Sequence, residues 1–295
     1  MCPSLIEQLA KEKPKISKVK LCQLFDIPRS SHYAIKKPKL PSLEQINLNL
    51  WVKQAYDQTK GSGGARTLSA MVSQQHGIKL TRYKTGKIMA QQGLISRQLI
   101  RHRYSKADKE HAIHDNLLKR EFSPAAPNQF WTADVTYIPT KQGWAYLAVV
   151  IDLYARNIVG FAVSDSPDSQ LTAQALKMAY TVRLKPKNVL FHSDQGTHYT
   201  SKAYAEAVAQ CTGMTHSMSR SGNCWDNAPT ERFFRSFKTE WMPKHGYDDV
   251  TCAKLDIADY IVGYYCQVRP HSFNDYLTPV EKEEQFFNQN LLEPV

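Results

Sequence analysis

Apolar residues recur along this chain with two periods, first helical and then strand-like. In the first third, helical spacing predicts two helix-turn-helix pairs, over Lys15–Lys37 and Arg66–Gln92, with a single helix over Leu43–Gln58 between them. The second helix of the first pair is expected to begin at Pro28, since proline is tolerated in a first helical turn. Thr81 is expected to cap the last helix of the second pair. The first third of the chain is therefore predicted to be all-helical.

Strand patterns replace helical ones after the proline-rich stretch Ser123–Pro127. Alternating or continuous apolar runs predict strands over residues 130–138, 144–151, 157–163, 188–192 and 214–217. Helices are predicted over residues 169–183, 201–210 and 251–268, with another beginning at Asn227. Three meander strands followed by alternating helices and strands predict an α/β fold. The expected arrangement is a ribonuclease H-like mixed sheet with helices on both faces, preceded by an all-α helix-turn-helix region.

Charge is distributed unevenly between the two parts. Residues 1–121 contain 23 Lys and Arg against 9 Asp and Glu, whereas residues 122–295 contain 15 against 18. A basic segment beside a nearly neutral one predicts that the first part binds nucleic acid. The side chains expected to contact DNA are Arg66, Arg82, Lys84, Lys87, Arg101, Arg103, Arg220 and Arg235.

These changes along the chain predict four segments. They are a helix-turn-helix DNA-binding region (1–95), a basic linker (96–127), a ribonuclease H-like core (128–245) and a C-terminal helical extension (246–295). No apolar run approaches the 18 or so residues of a membrane helix. The N-terminus is rich in lysine and lacks the apolar region of a signal peptide, and the six cysteines form no C-x-x-C pair. A cytoplasmic location is therefore expected.

The stretch Arg220–Glu240 changes from a polar loop into a helix. Asn227 is expected to cap this helix through its side chain, with Asp226 as a capping partner. Helical spacing predicts a buried face made of Phe233, Phe234, Phe237 and Trp241. Glu231 and Lys238 are seven residues apart, close to two turns, so they are predicted to share one side of the helix.

Two aspartates lie on strands that are expected to be neighbours. Asp134 is in the middle of the first strand and Asp194 follows the fourth. Side by side, the two carboxylates would repel each other unless divalent cations lay between them. Glu231, on a helix packed over the same edge, would complete a set of oxygen ligands suited to Mg²⁺ or Mn²⁺. Two such ions can activate an attacking oxygen and stabilise a leaving one in phosphoryl transfer.

Other polar residues in this region have less specific interpretations. Asp152 ends a long apolar strand and is interpreted as structural, paired with Arg156 or capping the turn. His192 and His198 flank Asp194, but a His-x5-His spacing without cysteines is a poor zinc signal. His192 is expected to orient the loop or to touch a phosphate. Two further residues, Ser193 and Cys224, could act as nucleophiles only if a base lay nearby.

Six stretches form long motifs in order along the chain: Trp131–Tyr137, Val150–Arg156, Phe191–Ser201, Ser217–Asn227, Glu231–Lys238 and Arg269–His271. Together they resemble the OrfB transposase of the IS3 family of insertion sequences, which contains a retroviral-type integrase core. The resemblance implies a catalytic triad of Asp134, Asp194 and Glu231 with Mg²⁺ or Mn²⁺, and an accompanying basic residue, Lys238. It also implies cleavage at the ends of the element and joining of the freed 3′-OH to another DNA strand.

The same resemblance implies several partners. They are the DNA of the element's ends and of the target, a second copy of the chain in a homo-oligomer on DNA, and an OrfA product or OrfA–OrfB fusion. No membrane association is expected, and the DNA-bound protein would be associated with the bacterial nucleoid. Two alternatives stay open from sequence alone: a hydrolytic nuclease of the same fold, and a non-catalytic DNA-binding regulator of the longer transposase.

Overall fold

The computed structural model describes residues 3–30, 42–96, 113–220 and 224–292. Internal contacts divide the chain into two units, residues 1–50 and residues 51–295. In the first unit, helices α1 (Pro3–Glu12) and α2 (Lys18–Leu24) contribute to a small core that contains Ile6, Leu21 and Cys22. The Ser17 hydroxyl caps α2 by accepting a hydrogen bond from Lys20 N. The helix predicted from Pro28 lies mostly outside the described residues.

Helix α3 (Leu43–Gln58) precedes a helix-turn-helix pair formed by α4 (Ala65–His76) and α5 (Arg82–Gln91). Gly77 follows α4 in the left-handed conformation, with a φ of 63°, which glycine adopts without steric cost. Thr81 caps α5 as predicted, because its hydroxyl accepts a hydrogen bond from Lys84 N. The second predicted helix-turn-helix is therefore confirmed.

Five strands form one mixed sheet: β1 (Phe130–Thr140), β2 (Gly143–Asp152), β3 (Asn157–Ser164), β4 (Val189–Ser193) and β5 (Met214–Met218). Their order in the sheet is β3-β2-β1-β4-β5. The first three strands pair antiparallel, whereas β4 runs parallel to both β1 and β5. All five predicted strands are confirmed, with differences only at their ends.

Helices cover both faces of the sheet. One face packs against α6 (Ser169–Val182), the single turn α7 (Thr197–Thr200) and α8 (Lys202–Gln210). The other packs against α9 (Ala228–Glu240) and α10 (Val250–Ala258); α11 (Pro279–Leu292) follows later in the chain. The α9 side chains predicted to be buried are buried: Phe233, Phe234, Phe237 and Trp241. Within the described ranges, no helix combines the length and apolar character needed to cross a membrane.

The helix predicted over residues 251–268 is not a single α-helix. It begins as α10 and continues over Asp259–Tyr265 as a π-helix, a wider form that is rare in proteins. Some of its apolar side chains are buried, namely Ile257, Ile261 and Tyr265. Two others in the predicted apolar pattern are exposed, namely Leu255 and Val262. The apolar spacing therefore overestimated the buried face.

Strand β3 and helix α6 approach each other closely at Gly160. A Cβ on this residue would lie 2.2 Å from Ala175 O and 2.8 Å from the Cβ of Ala179. Both distances are far shorter than van der Waals contacts, and the first atom belongs to the backbone. Glycine at this position therefore sets the spacing between the sheet and α6.

Residues 115–118 run along the outer edge of β5. Met218 N donates a hydrogen bond to Asp115 O at 3.3 Å. Leu117 N and Leu118 N donate to the Ser217 hydroxyl oxygen at 2.9 and 3.3 Å. An edge strand otherwise presents unpaired backbone groups to other chains. This segment therefore covers the end of one edge of the sheet, at Ser217 and Met218.

Candidate active site

Asp134 lies on β1, and Asp194 is the residue directly after β4, the neighbouring parallel strand. The last pair in the ladder between β1 and β4 is Thr132 with His192. Each aspartate follows the residue of this last pair by two positions, so the alternation of the strands, continued for one residue past β4, would place both side chains on the same face of the sheet. Neighbouring strands lie about 4.8 Å apart, which brings the two backbone positions close together.

A buried chain of hydrogen bonds attaches the start of α9 to β1. The Thr132 and Thr230 hydroxyl oxygens lie 2.8 Å apart. Thr230 Oγ1 donates to Asn227 Oδ1 at 2.9 Å, so the Thr132 hydroxyl must be the donor to Thr230. Asn227 Nδ2 donates to Ala133 O at 3.0 Å. The chain holds Thr230, and with it the next residue, Glu231, against β1.

Asn227 stands at the predicted N-cap position of α9, but its side chain makes no capping hydrogen bond. Its amide oxygen and nitrogen are instead used for the bonds to Thr230 and Ala133. The predicted capping role was therefore wrong. The Thr230 hydroxyl on α9 and the Ala133 carbonyl on β1 replace the local backbone N–H groups as partners, and the bond to Ala133 ties the start of α9 to the sheet.

Asp134 interacts electrostatically with three other side chains, those of Asp194, Glu231 and Lys238. Burial raises the pKa of Asp134 well above its usual value, and the charge of Asp194 raises it further. A hydrogen bond from Val135 N and the ammonium of Lys238 lower the pKa, whereas Glu231 raises it. Burial lowers the pKa of Lys238, and Asp134 opposes that shift. Carboxylates from β1, from the end of β4 and from α9 therefore share one region with an ammonium.

The loop after β4 holds the Asp194 carboxylate. Asp194 Oδ1 accepts a hydrogen bond from Gly196 N at 2.9 Å, and His198 Nε2 lies 4.0 Å from the same oxygen. A Cβ on Gly196 would lie 2.6 Å from the His198 ring and 3.0 Å from Asp194 Oδ1. Burial lowers the pKa of His198, so its ring is neutral at pH 7. The loop therefore depends on the missing side chain of Gly196.

The three carboxylates fit a divalent cation by donor type and by charge. The described residues contain no three Asp, Glu, His or Cys side chains already gathered as a metal-binding group. Asp134 Oδ1 accepts from Val135 N, Asp194 Oδ1 accepts from Gly196 N, and Glu231 is exposed. Burial is the main cause of the raised pKa of Asp134, and the neighbouring carboxylates of Asp194 and Glu231 raise it further. Oxygen ligands with excess negative charge are what Mg²⁺ and Mn²⁺ require.

Sequence comparisons identify the family. Residues 124–224 and 212–279 match two models described as integrase core domain, and residues 42–104 match an HTH-like domain. The chain is 33% identical over 251 residues to a transposase for insertion sequence element IS904 from Lactococcus lactis subsp. lactis (strain IL1403). The match covers 84% of this chain and 98% of that protein. The transposase InsF for insertion sequence IS3A of Escherichia coli (strain K12) is 39% identical over 179 residues, 61% of this chain and 60% of InsF.

The chain belongs to the IS3 family of insertion-sequence transposases. This transposase is also 32% identical over 269 residues to an uncharacterized 31 kDa protein of insertion element IS600 from Shigella sonnei, covering 90% of this chain and 98% of that protein. The resemblance drawn from the six motifs is confirmed. The protein is an enzyme of the DDE transposase and integrase type, with a ribonuclease H-like core and a helix-turn-helix DNA-binding domain.

Asp226 in the transposase is a buried carboxylate that joins three segments. Its oxygens accept hydrogen bonds from Arg220 Nε at 3.0 Å, from Arg120 Nε at 2.7 Å and from Asn116 Nδ2 at 2.9 Å. Hydrogen bonds from Arg220 first, and then from Arg120, hold the pKa of Asp226 well below its usual range. The predicted role in capping α9 was therefore wrong. Arg220, predicted to contact DNA, is engaged in this ion pair, although its side chain is 61% exposed.

Asp152 is structural, as interpreted, and of its two predicted roles the capping of the turn is the one confirmed. Its carboxylate accepts hydrogen bonds from Asn128 N at 2.7 Å and from Tyr154 N at 3.0 Å, and the second bond caps the turn after β2. Its ion-pair partner is Arg183, at 3.9 Å, rather than Arg156. Burial raises the pKa of Asp152 to about 6. These contacts tie the end of β2 to the turns around it.

His192 links β4 to β5 and to Ser219, the first residue after β5; because it is completely buried, the predicted contact with a phosphate was wrong. Its Nδ1 lies 2.8 Å from the Ser217 hydroxyl and its Nε2 lies 3.0 Å from that of Ser219. Burial lowers its pKa to about 4, so the ring is neutral at pH 7. Both ring nitrogens are engaged, which leaves none for a metal shared with His198.

Ser193 has a histidine beside it, since His216 Nε2 lies 3.0 Å from its hydroxyl. Ser193 is completely buried, and its hydroxyl also donates to Asp194 O at 3.1 Å. DNA cannot reach such an oxygen, so the pair is a contact between β4 and β5 rather than a nucleophile with its base. The side chain of Cys224 lies outside the described part of the chain.

The side chains predicted to contact DNA lie in several regions. Three are exposed on α5, the second helix of the helix-turn-helix pair: Arg82, Lys84 and Lys87. Arg66 is exposed in the first turn of α4, and Arg235 is exposed on α9, one turn after Glu231. Arg101 and Arg103 lie outside the described residues. The second helix of such a pair is the element that enters the major groove in helix-turn-helix proteins.

Sequence reasoning missed the threonine pair that positions α9. Thr132 is completely buried within a strand, and Thr230 is completely buried in the first turn of α9. A polar residue in a buried strand was the available signal, because buried hydroxyls require partners. The identity of the partner could not be read, since 98 positions separate the two threonines.

Proposed function

We propose that this transposase cleaves DNA at the ends of an insertion sequence and joins the freed 3′-OH to target DNA by two-metal catalysis. The observation that supports this proposal is the grouping of three carboxylates with one ammonium at the edge of β1 and β4. Besides burial, which is the largest cause, the charges of Asp194 and Glu231 raise the pKa of Asp134, and Lys238 lowers it. Such mutual effects require the four side chains to be near one another.

In this mechanism, Asp134, Asp194 and Glu231 hold Mg²⁺ or Mn²⁺ through carboxylate oxygens. The bound ions supply activation of the attacking oxygen and stabilisation of the leaving one. The hydrogen-bond chain through Thr230 keeps Glu231 aligned with β1, and Gly196 N orients the Asp194 carboxylate. Lys238 contacts DNA near the reacting phosphate and offsets part of the negative charge. A base-activated serine or cysteine is not needed for this chemistry.

The proposed substrate is DNA, both as the ends of the element and as the target. Helix α5 presents Arg82, Lys84 and Lys87 to it, and binding through phosphates should weaken steeply with salt. We further propose that the protein assembles on DNA as a homo-oligomer, and that an OrfA product or an OrfA–OrfB fusion takes part.

The proposal is tested by strand transfer with a labelled oligonucleotide that ends in a 3′-OH, in the presence of Mg²⁺. Products longer than the substrate, joined to target DNA, are expected. Metal ions contribute several kcal/mol to such a transition state, and 1.36 kcal/mol is tenfold in rate, so Glu231→Gln should lower the rate at least about 100-fold. Glu206→Gln, an exposed position on α8, is the matched control and should retain activity. Full activity of Glu231→Gln would refute the mechanism.

The same assay separates the two alternatives. A hydrolytic nuclease of the same fold would give metal-dependent nicks without joined products. A non-catalytic regulator would bind the oligonucleotide and give neither product, and titration with Mg²⁺ or Mn²⁺ would detect no bound ion.

A further inference from the structure

A cavity of about 190 Å³ lies between the first turn of α4, in the helix-turn-helix pair, and the α9 side of the catalytic core. The described residues that line it include no aspartate or glutamate. They do include five basic or imidazole side chains: Arg66, Arg156, Arg232, Arg269 and His271. These residues come from four separate parts of the chain, and the fold brings their side chains together around one space.

Most of this positive charge is not neutralised. Arg269 is paired with Glu240, whose two carboxylate oxygens accept its Nε and NH2 groups at 2.6 Å each. Arg156 donates to a backbone carbonyl, which carries no net charge. Arg66 and Arg232 form no ion pair with an acid in the described ranges. The cavity therefore retains the charge of about three guanidinium groups, which favours an anionic ligand.

His271 adds a hydrogen-bond donor to the cavity wall. Burial, together with the charges of Arg269, Arg156 and Arg232, lowers its pKa to about 3. The ring is therefore neutral at pH 7, and its Nδ1 accepts a hydrogen bond from Phe273 N at 3.3 Å. A neutral imidazole that accepts at Nδ1 carries its proton on Nε2. Guanidinium groups and a neutral imidazole N–H are the donors that suit phosphate oxygens.

A second cavity, of about 350 Å³, adjoins the first and shares Arg156, Arg232 and His271 with it. Its wall also includes two aromatic rings, Phe122 and Phe273. Phe273 is 40% exposed, and the guanidinium of Arg156 lies 3.8 Å from its ring centroid. Proteins that bind single-stranded nucleic acid combine basic grooves with aromatic surfaces in this way. An inorganic anion has no apolar surface that could pack against these aromatic rings.

We propose that the two cavities bind one nucleotide of a DNA strand, with its phosphate between Arg66 and Arg232 and its sugar or base against Phe273. The identity of the ligand as DNA rests on the proposed function. Arg232 directly follows Glu231 on α9, so a strand bound here passes beside the catalytic carboxylates. Arg66 belongs to the helix-turn-helix pair, so the same contact joins the DNA-binding region to the core.

The test measures binding of a labelled single-stranded oligonucleotide at several salt concentrations, in a chelator so that no strand is cut. For single strands, the slope of log K against log salt is about −0.7 for each phosphate contact. Arg66→Gln and Arg232→Gln should each make the slope shallower by about 0.7, whereas Arg232→Lys should leave it unchanged. Lys177→Gln removes one exposed charge from α6, on the opposite face of the sheet, and should leave the slope unchanged.

A second variant tests the nucleotide rather than its phosphate. Phe273→Leu keeps an apolar side chain but removes the ring, and should weaken binding about 5-fold or more at an unchanged salt slope. Titration with inorganic phosphate alone tests whether the cavity binds free phosphate rather than the phosphate group of a DNA strand. One result would show that the cavity serves a free anion: phosphate binds, Arg232→Gln abolishes that binding, and Arg232→Gln leaves the oligonucleotide salt slope unchanged. That result overturns the proposal.

Unchanged slopes for both arginine variants, or equal changes for Lys177→Gln, overturn the proposal as well. Melting temperatures of all variants verify that each one is folded. The measurement requires no catalysis and no metal. A negative strand-transfer result would therefore remove the proposed function, while these slopes would still decide whether the cavity contacts a strand.

Discussion

Replacing Thr230 with valine removes the hydroxyl at the centre of the chain that joins α9 to β1. Valine has nearly the same shape, so the change deletes hydrogen bonds without opening a cavity. The Thr132 hydroxyl loses its acceptor and Asn227 Oδ1 loses its donor. All three residues are buried, so bulk water does not replace the lost bonds.

The expected destabilisation follows from these two orphaned groups. Each buried polar group without a partner costs about 1–3 kcal/mol, so Thr230→Val should lower the free energy of unfolding by about 2–6 kcal/mol. Activity of the folded fraction should fall about 10- to 100-fold, because Glu231 is the next residue and a displacement of about 1 Å is enough for such a loss. Thr230→Ser keeps the hydroxyl and removes one methyl group, which costs only about 1 kcal/mol.

Urea denaturation followed by tryptophan fluorescence measures the stability of both variants, and strand transfer in the absence of denaturant measures their activity. Thr132→Val completes a double-mutant cycle. The double variant leaves only Asn227 Oδ1 unpaired, so it should lose about 1–3 kcal/mol less than the sum of the single variants. If Thr230→Val proves as stable as Thr230→Ser, or the cycle gives no coupling, the hydrogen-bond chain does not position α9.

Three further predictions concern stability. The pKa of His192 is about 4 in the folded state and 6.5 in the unfolded state, so the free energy of unfolding falls as the pH is lowered through this range. His192→Gln should make this pH dependence of the free energy of unfolding less steep by up to about 1.4 kcal/mol per pH unit, as measured by urea titrations. Asp226→Asn weakens hydrogen bonds from two arginines and should cost about 1–3 kcal/mol, seen as a lower melting temperature; an unchanged value would contradict the role of Asp226. Gly160→Ala forces α6 away from β3 and should lower the free energy of unfolding by at least about 1–3 kcal/mol. Gly86→Ala, in the middle of α5 where a Cβ meets only one atom at ordinary contact distance, should be neutral or stabilising by up to about 1 kcal/mol. Equal denaturation midpoints for the two variants would refute the close contact at Gly160.

The sheet could be predicted from the sequence because both of its faces are buried. Along β2, Leu147, Val149 and Ile151 belong to the core on one face, and Ala148 and Val150 to the core on the other. A continuous apolar run of this kind predicts a central strand. The region after residue 251 was harder, because apolar spacing does not reveal where an α-helix widens into a π-helix. Leu255 and Val262 fit the expected stripe and are nevertheless exposed.

The acidic residues of the candidate site could be proposed because a carboxylate in an apolar strand is costly without a partner. Their supporting contacts could not be proposed, because those contacts join residues far apart in the sequence. Arg120 and Asp226 are separated by 106 positions, and local patterns contain no information about such a pair. The failed predictions for Asn227 and Asp226 have the same cause, since both were assigned local capping partners and each also bonds a residue about 100 positions away.

The segment over residues 115–118 also determines where a recombinant catalytic fragment has to begin. The integrase-core match starts at residue 124, and a fragment cut there would lack the chain that runs along β5. Asp226 would lose Arg120, and the Ser217 hydroxyl would lose two N–H donors. The bare edge would then be open to strand pairing between molecules, so the short fragment should precipitate or self-associate. A fragment that starts at residue 113 keeps this border closed and is the better choice for crystallisation.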